Sequence, residues 1–380
     1  MERIAVLGST GSIGEQTLEI IARSEGRFEA TVLTANGNWQ RLVQQARALQ
    51  PDSAVIARAE HAPAVRDALS DLPIKVYAGE ESIAQVVRGE SVDTVVNALV
   101  GYAGLEPTLA AVQTGKKLAL ANKESLVVAG EQVMRIATKN GVPVLPIDSE
   151  HSAVLQCLVG EKEVSRLILT ASGGPFLDTP IEQLERVTVA QALAHPRWTM
   201  GPKITIDSAT MINKGFEVIE ARWLFGIPGE RIDVVVHPQS IVHSMVEFAD
   251  CSIKAQMGHP DMRLPIQYAL YFPERPVSPC ERFTFAEALR LDFRPVDNAK
   301  FPAVELAREC LRRGGTAGAV LNAAGEVAVA AFLEGRIGFM EIIRAVEKTL
   351  GRASAVASPS LDDLRAANAE AREIAKEYCN

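Results

Sequence analysis

A glycine-rich turn near the start of the sequence places the strongest constraint on the fold. The apolar, strand-like run RIAVLG leads directly into GSTGSIG (8–14), which opens a helical window. Glycines permit a tight turn there, and the free N–H groups at the start of the following helix can face a pyrophosphate. The spacing is G-x-x-G-x-x-G rather than G-x-G-x-x-G, so a tight turn that binds nothing is an alternative.

The same order of strand and helix repeats as far as residue 147. Short β-branched runs, among them EATVLTA, SAVIA, TVVNA and KLALA, alternate with amphipathic helical windows. This alternation is typical of a parallel sheet that carries helices on both faces. We therefore predict an α/β protein. Its N-terminal doubly wound, parallel-sheet (Rossmann-like) domain would span residues 1–148 and bind a dinucleotide cofactor.

The remaining sequence predicts two further domains. Strand-like runs continue at 166–175, 203–210, 231–238 and, as a hairpin, 240–258. They indicate a central α+β catalytic domain with a mixed sheet over residues 149–272. A proline-rich stretch predicts a linker at 273–298, and helical spacing over 299–380 predicts a small C-terminal helical domain of three or four helices.

Composition and charge exclude several classes of protein. A chain of 380 residues is long for a single core, and its 47% hydrophobic content is that of a folded protein. No apolar stretch reaches the roughly 18 residues of a membrane span, and strand-like sequence begins at once, so we expect a cytoplasmic protein. The net charge of −8 argues against nucleic-acid and membrane partners. Five scattered cysteines, an odd number, argue against a disulfide framework.

The end of the second strand bears on the choice of dinucleotide. An NAD site usually places Asp or Glu there to accept a hydrogen bond from the ribose 2′-hydroxyl. Here the segment reads TANGN (34–38), without an acid. Because a carboxylate would repel a 2′-phosphate, its absence favours NADP. However, Gly37 offers no charge, and the nearest basic residue in sequence is Arg41.

Two carboxylates follow the apolar run VPVLPI, in the segment PIDSEH (146–151). If the strand continued, Asp148 and Glu150 would project from one face. Two unit charges about 4 Å apart repel by about 4 kcal/mol at an effective dielectric of about 20. A bound cation, a shared proton or a wide separation of the two side chains must therefore relieve the repulsion. Oxygen ligands suit Mg²⁺ or Mn²⁺. The alternative is a solvated loop or a helix start capped by Asp148 or Ser149, with His151 as a helix-start or packing residue.

A second polar cluster occupies 203–226. Strand spacing is predicted up to Ile206, followed by a helix start, and Gly215 predicts a break that leaves Asn213 and Lys214 at a turn. A hydroxyl, an amide and an ammonium at helix ends suit a phosphate monoester. An ordinary capped helix with a surface Lys214–Glu217 pair is the alternative. The preceding segment AHPRWTMG (194–201) has the composition of a mobile loop with an aromatic cover, or of a plain surface loop.

Taken together, the motifs resemble those of the 1-deoxy-D-xylulose 5-phosphate reductoisomerase family of the non-mevalonate isoprenoid pathway. They are, in this order, GSTGSIG, LANKES (120–125), PIDSEHSA (146–153), TASGGPF, HPRWTMG and KITIDSATMINKGFEVIEARWLF. The resemblance extends over essentially the whole chain, and the combination of DSE with NKGxE is its most specific part.

The resemblance implies roles for particular residues. Lys123, Glu150 and His195 would be catalytic, and Asp148, Glu150 and Glu217 would bind the divalent cation. The phosphosugar would contact Lys123, Ser149, Glu150, Ser172, His195, Trp198, Met200, Ser208, Asn213, Lys214 and Glu217. The cofactor would contact Thr10, Gly11, Ser12, Ile13, Asn36, Gly37, Asn38, Asn122, Glu124 and Gly201. The family often has a basic residue where this chain has Gly37.

The implied reaction is a cation-assisted carbon–carbon rearrangement of 1-deoxy-D-xylulose 5-phosphate, followed by reduction with NADPH to 2-C-methyl-D-erythritol 4-phosphate. The cation would be manganese or magnesium, and a homodimer is expected by resemblance. Two alternatives stay open: another NADP-linked enzyme, such as an aspartate-semialdehyde or homoserine dehydrogenase, and a dinucleotide-sensing regulator without catalytic activity. Neither dehydrogenase explains the three acids.

Overall fold

The computed structural model describes residues 1–196, 198, 200–286 and 289–380, and it separates into two compact units. The first unit comprises Met1–Ser125, Gln132–Ser152 and Asp261–Cys280. The second comprises Leu126–Glu131, Ala153–Pro260 and Glu281–Asn380. Each unit is built around its own sheet, and the units are considered separately below.

The first unit contains a parallel sheet in the order β4-β3-β2-β1-β5-β6-β7. Its strands are β1 (Glu2–Leu7), β2 (Phe28–Ala35), β3 (Ser53–Ile56), β4 (Lys75–Ala78), β5 (Thr94–Asn97), β6 (Lys117–Leu120) and β7 (Val144–Pro146). The helices between them are α1 (Ser12–Ala22), α2 (Trp39–Leu49), α3 (Ala62–Ala68), α4 (Glu81–Val87), α5 (Leu105–Gln113) and α6 (Glu124–Asn140), and α7 (Ser149–Leu158) follows β7. The predicted doubly wound sheet is confirmed.

The strand order reverses at the centre of this sheet. The chain starts at β1, moves outward through β2, β3 and β4, and returns to place β5 on the other side of β1. Residues Ile4 to Leu7 of β1 are fully buried because helices cover both faces of a parallel sheet. In such sheets ligands bind beyond the carboxyl ends of the strands, at the point of reversal.

A helix from far along the chain completes the first unit. Helix α11 (Arg263–Tyr271) packs against α1, and Arg263 lies 3.2 Å from Glu19. The rings of Phe28 and Tyr271 meet edge to face with centroids 4.7 Å apart. Residues 261–280 therefore belong with the first sheet in this structure. The boundaries drawn at 148, 272 and 298 from the sequence stay a prediction about the limits of independently folding domains.

The second unit contains a mixed sheet in the order β11-β10-β8-β9-β12. Its strands are β8 (Val164–Ala171), β9 (Ile232–Val236), β10 (Val242–Phe248), β11 (Ile253–Met257) and β12 (Arg294–Pro295). Strands β8 and β9 are parallel, whereas β10 is antiparallel to both β8 and β11. The predicted mixed sheet and its hairpin are confirmed.

Helices cover this second sheet and share its core. They are α8 (Val189–Ala192), α9 (Pro202–Ala209), α10 (Ile212–Phe225), α12 (Ala303–Arg313), α13 (Ala317–Leu333), α14 (Phe339–Arg352) and α15 (Leu361–Tyr378). Apolar side chains of β8, α10 and α13, such as Leu167, Phe216 and Phe332, belong to one buried cluster. The helical C-terminal segment is thus confirmed with four helices among the described residues, and it packs with the second sheet.

The strand predicted to end at Ile206 is wrong, because α9 occupies Pro202–Ala209. Proline is favourable at the first position of a helix, and Pro202 stands there. Lys203 pairs with Asp207 at 2.9 Å, one helical turn on, and the Thr205 hydroxyl donates to the carbonyl of Gly201 at 2.9 Å. These local bonds and the burial of one helix face outweigh the strand preference of β-branched residues.

The break predicted at Gly215 is also wrong. Helix α10 runs through this residue without interruption, and the chain turns earlier, at Met211, which has a φ of 63°. Gly215 instead allows close packing of two helices. A Cβ atom at this position would lie 2.8 Å from the carbonyl oxygen of Ala303 and 3.2 Å from the Cβ of Ala307, both on α12.

Among the described helices, none combines the length and hydropathy needed to cross a membrane.

We expect Gly215→Ala to lower the free energy of unfolding by about 1–3 kcal/mol, because the added methyl group would push α12 away from α10. Gly351→Ala is the matched control, since Gly351 is also helical but has no atom within 4 Å of the added Cβ. There the substitution should be neutral or stabilise by up to about 1 kcal/mol. Urea unfolding followed by circular dichroism measures both, and equal effects at the two sites would contradict the packing argument.

Candidate active site

The glycine-rich turn follows β1 and has room for little except glycine. Gly8 has a φ of +79°, and a Cβ atom there would lie 2.8 Å from the carbonyl oxygen of Ala98, just beyond β5. A Cβ atom on Gly14 would lie 2.3 Å from the carbonyl oxygen of Gly8. Helix α1 begins at Ser12 and has no side-chain hydrogen bond at its cap, Gly11. The N–H groups of its first turn therefore remain available to an anion.

A hydrogen-bond network fixes this turn against α2. The Ser9 hydroxyl donates to Gln45 Oε1 at 2.7 Å, and Gln45 Nε2 donates to the Ser9 carbonyl and to Glu15 Oε1, both at 2.9 Å. Arg41 binds Glu15 through two parallel hydrogen bonds of 2.6 and 2.7 Å. The predicted cofactor contacts Thr10, Gly11, Ser12 and Ile13 lie in the turn that this network supports.

The loop after β2 contains three further predicted cofactor contacts, Asn36, Gly37 and Asn38. Asn38 caps α2, with its Oδ1 accepting from the Arg41 N–H at 3.3 Å, and the Asn36 carbonyl accepts from the Arg58 N–H at 3.0 Å. The side chain of Arg58 lies over Gly37, so that a Cβ atom on Gly37 would be 3.1 Å from Arg58 Cδ. Sequence reasoning missed Arg58, although the pairing of two parallel strands places the residues after β3 beside those after β2.

The segment Asn122, Lys123 and Glu124 follows β6 and is almost fully buried. Asn122 Nδ2 donates to the carbonyls of Leu99 and Gly101, at 2.9 Å each, and its Oδ1 accepts from the N–H of Ser125 at 3.0 Å. Asn122 therefore connects the loops after β5 and β6. Glu124 begins α6, and its carboxylate accepts from Asn122 Nδ2 at 3.2 Å.

Lys123 reaches Asp148, the first carboxylate after β7. Its ammonium forms an ion pair with Asp148 Oδ2, and His151 Nδ1 lies 3.7 Å from the same oxygen. Burial alone would raise the pKa of Asp148, but the positive charge of Lys123 and the neighbouring imidazole of His151 hold it well below its usual range. These neighbours therefore favour the ionised form of Asp148.

The carboxylates Asp148 and Glu150 do not share a strand, as the continued-strand interpretation required. Strand β7 ends at Pro146 and α7 begins at Ser149, so the two carboxylates lie at the start of a helix. The Ser149 N–H donates to Asp148 Oδ1 at 3.1 Å, and its hydroxyl donates to Glu150 Oε2 at 2.6 Å. Ser149 thus binds both acids, and His151 is a fully buried residue of the first helical turn.

In the second unit, Ser172 and His195 form a hydrogen-bonded pair. Ser172 Oγ lies 3.2 Å from His195 Nε2, and the Trp198 N–H donates to His195 Nδ1 at 2.9 Å. An imidazole nitrogen that accepts a hydrogen bond carries no proton, so the proton of the neutral ring is on Nε2 and faces Ser172. Burial lowers the pKa of His195 and favours this neutral form. Arg197 and Thr199 of the same loop lie outside the described residues.

The turn that contains Ser172 lies against the end of α9. Gly174 has a φ of +66°, and a Cβ atom there would be 3.1 Å from the carbonyl oxygen of Ser208. Two predicted phosphosugar contacts, Ser172 and Ser208, therefore belong to backbone segments in contact. At the other end of α9, Gly201 is the cap residue, and the Met200 carbonyl accepts from the Thr205 hydroxyl at 3.5 Å.

Helix α10 begins with the NKGxE motif. Asn213 Nδ2 donates to Glu217 Oε1 at 2.5 Å, and the ammonium of Lys214 binds Glu217 Oε2. Lys214 and Glu217 are both buried, so this is not the surface pair of the alternative interpretation. The second unit thus supplies a hydroxyl pair, an imidazole, an amide and an ammonium, together with a buried carboxylate.

Three family models, all described as 1-deoxy-D-xylulose 5-phosphate reductoisomerase or its C-terminal domains, match the chain at residues 4–130, 144–225 and 257–374. A reductoisomerase of Bacteroides thetaiotaomicron is 53% identical over 378 residues, covering 99% of this chain and 97% of the relative. One of Heliobacterium modesticaldum is 53% identical over 380 residues, with the same coverages.

Solved structures of similar proteins extend this likeness to the whole fold. A crystal structure of a DOX-P reductoisomerase with NADPH, fosmidomycin and magnesium superposes with a TM-score of 0.94 at 38% identity, covering all of this chain and 98% of the other. The reductoisomerase of Zymomonas mobilis in complex with NADPH gives a TM-score of 0.92 at 44% identity, covering 100% of this chain and 99% of the other.

We expect His195 to be neutral at pH 7, with its proton on Nε2, and to titrate below the ordinary histidine pKa of about 6.5. As the pH falls through its pKa, Nδ1 gains a proton and can no longer accept from the Trp198 N–H. Two-dimensional NMR spectra of ¹⁵N-histidine-labelled protein measure the tautomer and the pKa, and the signal lost in His195→Gln identifies the residue. A midpoint above 6.5, or a proton on Nδ1, would contradict this arrangement.

Proposed function

The chain belongs to the 1-deoxy-D-xylulose 5-phosphate reductoisomerase family, and from this premise we propose that it converts 1-deoxy-D-xylulose 5-phosphate into 2-C-methyl-D-erythritol 4-phosphate with NADPH as reductant. The observation that carries the proposal is the identity of 53% across 99% of the chain. Family membership does not favour the other dehydrogenases or the regulator considered from the sequence.

The first sheet is suited to the dinucleotide. The turn of Thr10, Gly11, Ser12 and Ile13 offers backbone N–H groups to the pyrophosphate, because no side chain caps α1. The tight approach of Gly14 to Gly8 leaves that turn little freedom to move. We assign Asn36, Gly37, Asn38, Asn122, Glu124 and Gly201 to the cofactor as well. Asn122 acts by fixing the loops after β5 and β6, since its own amide is already bonded.

We propose that Asp148, Glu150 and Glu217 bind the divalent cation. Three carboxylates form an oxygen donor set that suits magnesium, and a relative binds magnesium in its crystal structure. The alternative set of Asp148, His151 and Glu220 includes an imidazole, which suits softer cations better. When bound, the cation polarises the substrate carbonyl as a Lewis acid. Manganese stays a prediction.

The phosphate of the sugar is assigned to the donors of the second unit. Ser172, Ser208, Asn213 and Lys214 supply hydroxyl, amide and ammonium groups, and His195 donates from Nε2. A neutral histidine with its proton on Nε2 can donate a hydrogen bond to a phosphate oxygen at neutral pH. Trp198 and Met200 supply apolar contact from the loop before α9. Binding energy from the phosphate, remote from the reacting carbons, would serve to position them.

Proton transfer is assigned to groups around the carboxylates. A rearrangement of this kind moves a proton from a substrate hydroxyl to a carbonyl oxygen. Glu150, whose Oε2 is held by the Ser149 hydroxyl, is the candidate acceptor, and the ammonium of Lys123 is the candidate donor. His195 is the third residue assigned a catalytic role. A homodimer and a cytoplasmic location are further predictions, which stand on the resemblance and on the sequence respectively.

The decisive test compares Glu217→Gln with Glu220→Gln. Both glutamates are fully buried on α10 and three residues apart, so each substitution replaces one buried carboxyl group by an amide of the same size. NADPH oxidation is followed at 340 nm with 1-deoxy-D-xylulose 5-phosphate while magnesium is varied. We expect Glu217→Gln to lower kcat/KM by at least about 100-fold and to raise the magnesium needed for half-maximal rate, because several kcal/mol of stabilisation depend on the cation.

Glu220→Gln is expected to keep the magnesium dependence of the unmodified protein. If instead Glu220→Gln abolishes the response to magnesium and Glu217→Gln does not, the cation belongs to the set that contains His151. If the unmodified protein with magnesium oxidises no NADPH in the presence of the substrate, the proposed reaction itself is wrong. Circular dichroism of both variants separates loss of function from loss of folding.

A further inference from the structure

We propose that the guanidinium of Arg58 binds the 2′-phosphate of NADPH and selects this cofactor over NADH. The inference rests on the proposed function, in which the first sheet binds NADPH. It concerns a position outside the second-strand loop, in which Gly37 itself offers no charge.

Strand pairing brings Arg58 to the second-strand loop. Strands β2 and β3 are parallel neighbours, with Ala35 paired to Ile56 at their carboxyl ends. The pairing continues one step further, where the Arg58 N–H donates to the Asn36 carbonyl at 3.0 Å. The backbone of Arg58 is thus fixed beside the residues that follow β2, at the position where a dinucleotide site recognises the 2′ substituent of the ribose.

Gly37 provides space for the Arg58 side chain. A Cβ atom on Gly37 would lie 3.1 Å from Arg58 Cδ, 3.4 Å from Nε and 3.6 Å from Cζ. The φ of Gly37 is not in the left-handed region, so the backbone alone does not require glycine here. With no side chain at this position, the Arg58 side chain lies close against the loop.

The other arginine of this region is already engaged. Arg41 forms two parallel hydrogen bonds to Glu15, and this carboxylate also accepts from Gln45. In contrast, no hydrogen bond or ion pair to the Arg58 guanidinium occurs within the described part of the chain. Arg58 is exposed, and its guanidinium can bind an anion without breaking an existing ion pair. Arg41 would have to break its two hydrogen bonds to Glu15 to do the same.

The chemistry of the guanidinium fits the ligand. Its planar N–H groups bind a phosphate through parallel hydrogen bonds, and its charge is permanent at the pH of any assay. NADH has a hydroxyl at the position of this phosphate and would gain nothing from the contact. Loss of Arg58 should therefore weaken NADPH binding and leave NADH binding unchanged.

The test is an equilibrium titration of the full chain without substrate. Binding of NADPH and NADH is measured by fluorescence, and binding of 2′,5′-ADP and 5′-AMP by calorimetry. We expect Arg58→Ala to raise the Kd for NADPH and for 2′,5′-ADP by about 10-fold to 100-fold, the range for a hydrogen-bonded charge, with the Kd for NADH and 5′-AMP changed less than about 2-fold.

Two further variants separate this role from a structural one. Arg41→Ala removes an arginine from the same edge of the sheet but breaks the network under the glycine turn, so it should weaken NADPH and NADH equally. Gly37→Ala places a methyl group against the Arg58 side chain and should reproduce the selective loss of NADPH affinity in part. Arg58→Lys, which keeps the charge but not the paired donors, should have an intermediate effect.

Equal effects of Arg58→Ala on NADPH and NADH, or no effect on either, would overturn the role of Arg58 while leaving the dinucleotide site in place. If the unmodified protein binds neither NADPH nor NADH, the proposed function fails and the inference fails with it. A selective loss with Arg41→Ala rather than Arg58→Ala would transfer the role to Arg41 and would also overturn the inference.

Discussion

All strands of the first sheet run in one direction, and this constraint determines where the chemistry of the unit can lie. Their carboxyl ends lie along one edge, so the segments that follow β1, β2, β3, β5, β6 and β7 share this edge although they are separated by up to about 140 residues of sequence. The glycine turn, Gly37 with Arg58, Asn122 with Lys123, and Asp148 all occupy these segments. A parallel sheet thus collects side chains that no local sequence motif contains together.

Each unit also places a lysine against a carboxylate in a poorly hydrated environment. Lys123 pairs with Asp148 in the first, and Lys214 pairs with Glu217 in the second. Burial opposes ionisation, and in each case the neighbouring ammonium compensates for it. Removing one partner would leave an uncompensated buried charge, so each pair depends on both of its members. For Asp148, the charge of Lys123 favours the ionised carboxylate, which is the form that a cation binds.

The sequence allowed the class of fold and much of the candidate site to be predicted, because both follow from local patterns. Alternating strands and helices gave the parallel sheet, and the glycine spacing located the turn that Gly8 and Gly14 require. The errors arose where contacts distant in sequence decide the structure. Strand propensity around Ile206 was outweighed by helix packing, and Gly215 reflects the approach of α12 rather than a turn. The sequence did not indicate Arg58, because residues 37 and 58 come together only through the pairing of β2 with β3.

The hydrogen bonds of Asn122 restrict how the loops after β5 and β6 can move. Its side chain joins the carbonyls of Leu99 and Gly101 to the start of α6, and Asn97 continues the connection to Gly104 and Thr108 at 2.9 and 2.8 Å. Neither loop can open without breaking bonds to the other. The two loops should therefore behave as a single cooperative unit in amide hydrogen exchange, with one opening free energy shared by residues more than twenty positions apart. The entropy of ordering this part of the edge is lost once, during folding, and not again at each binding event.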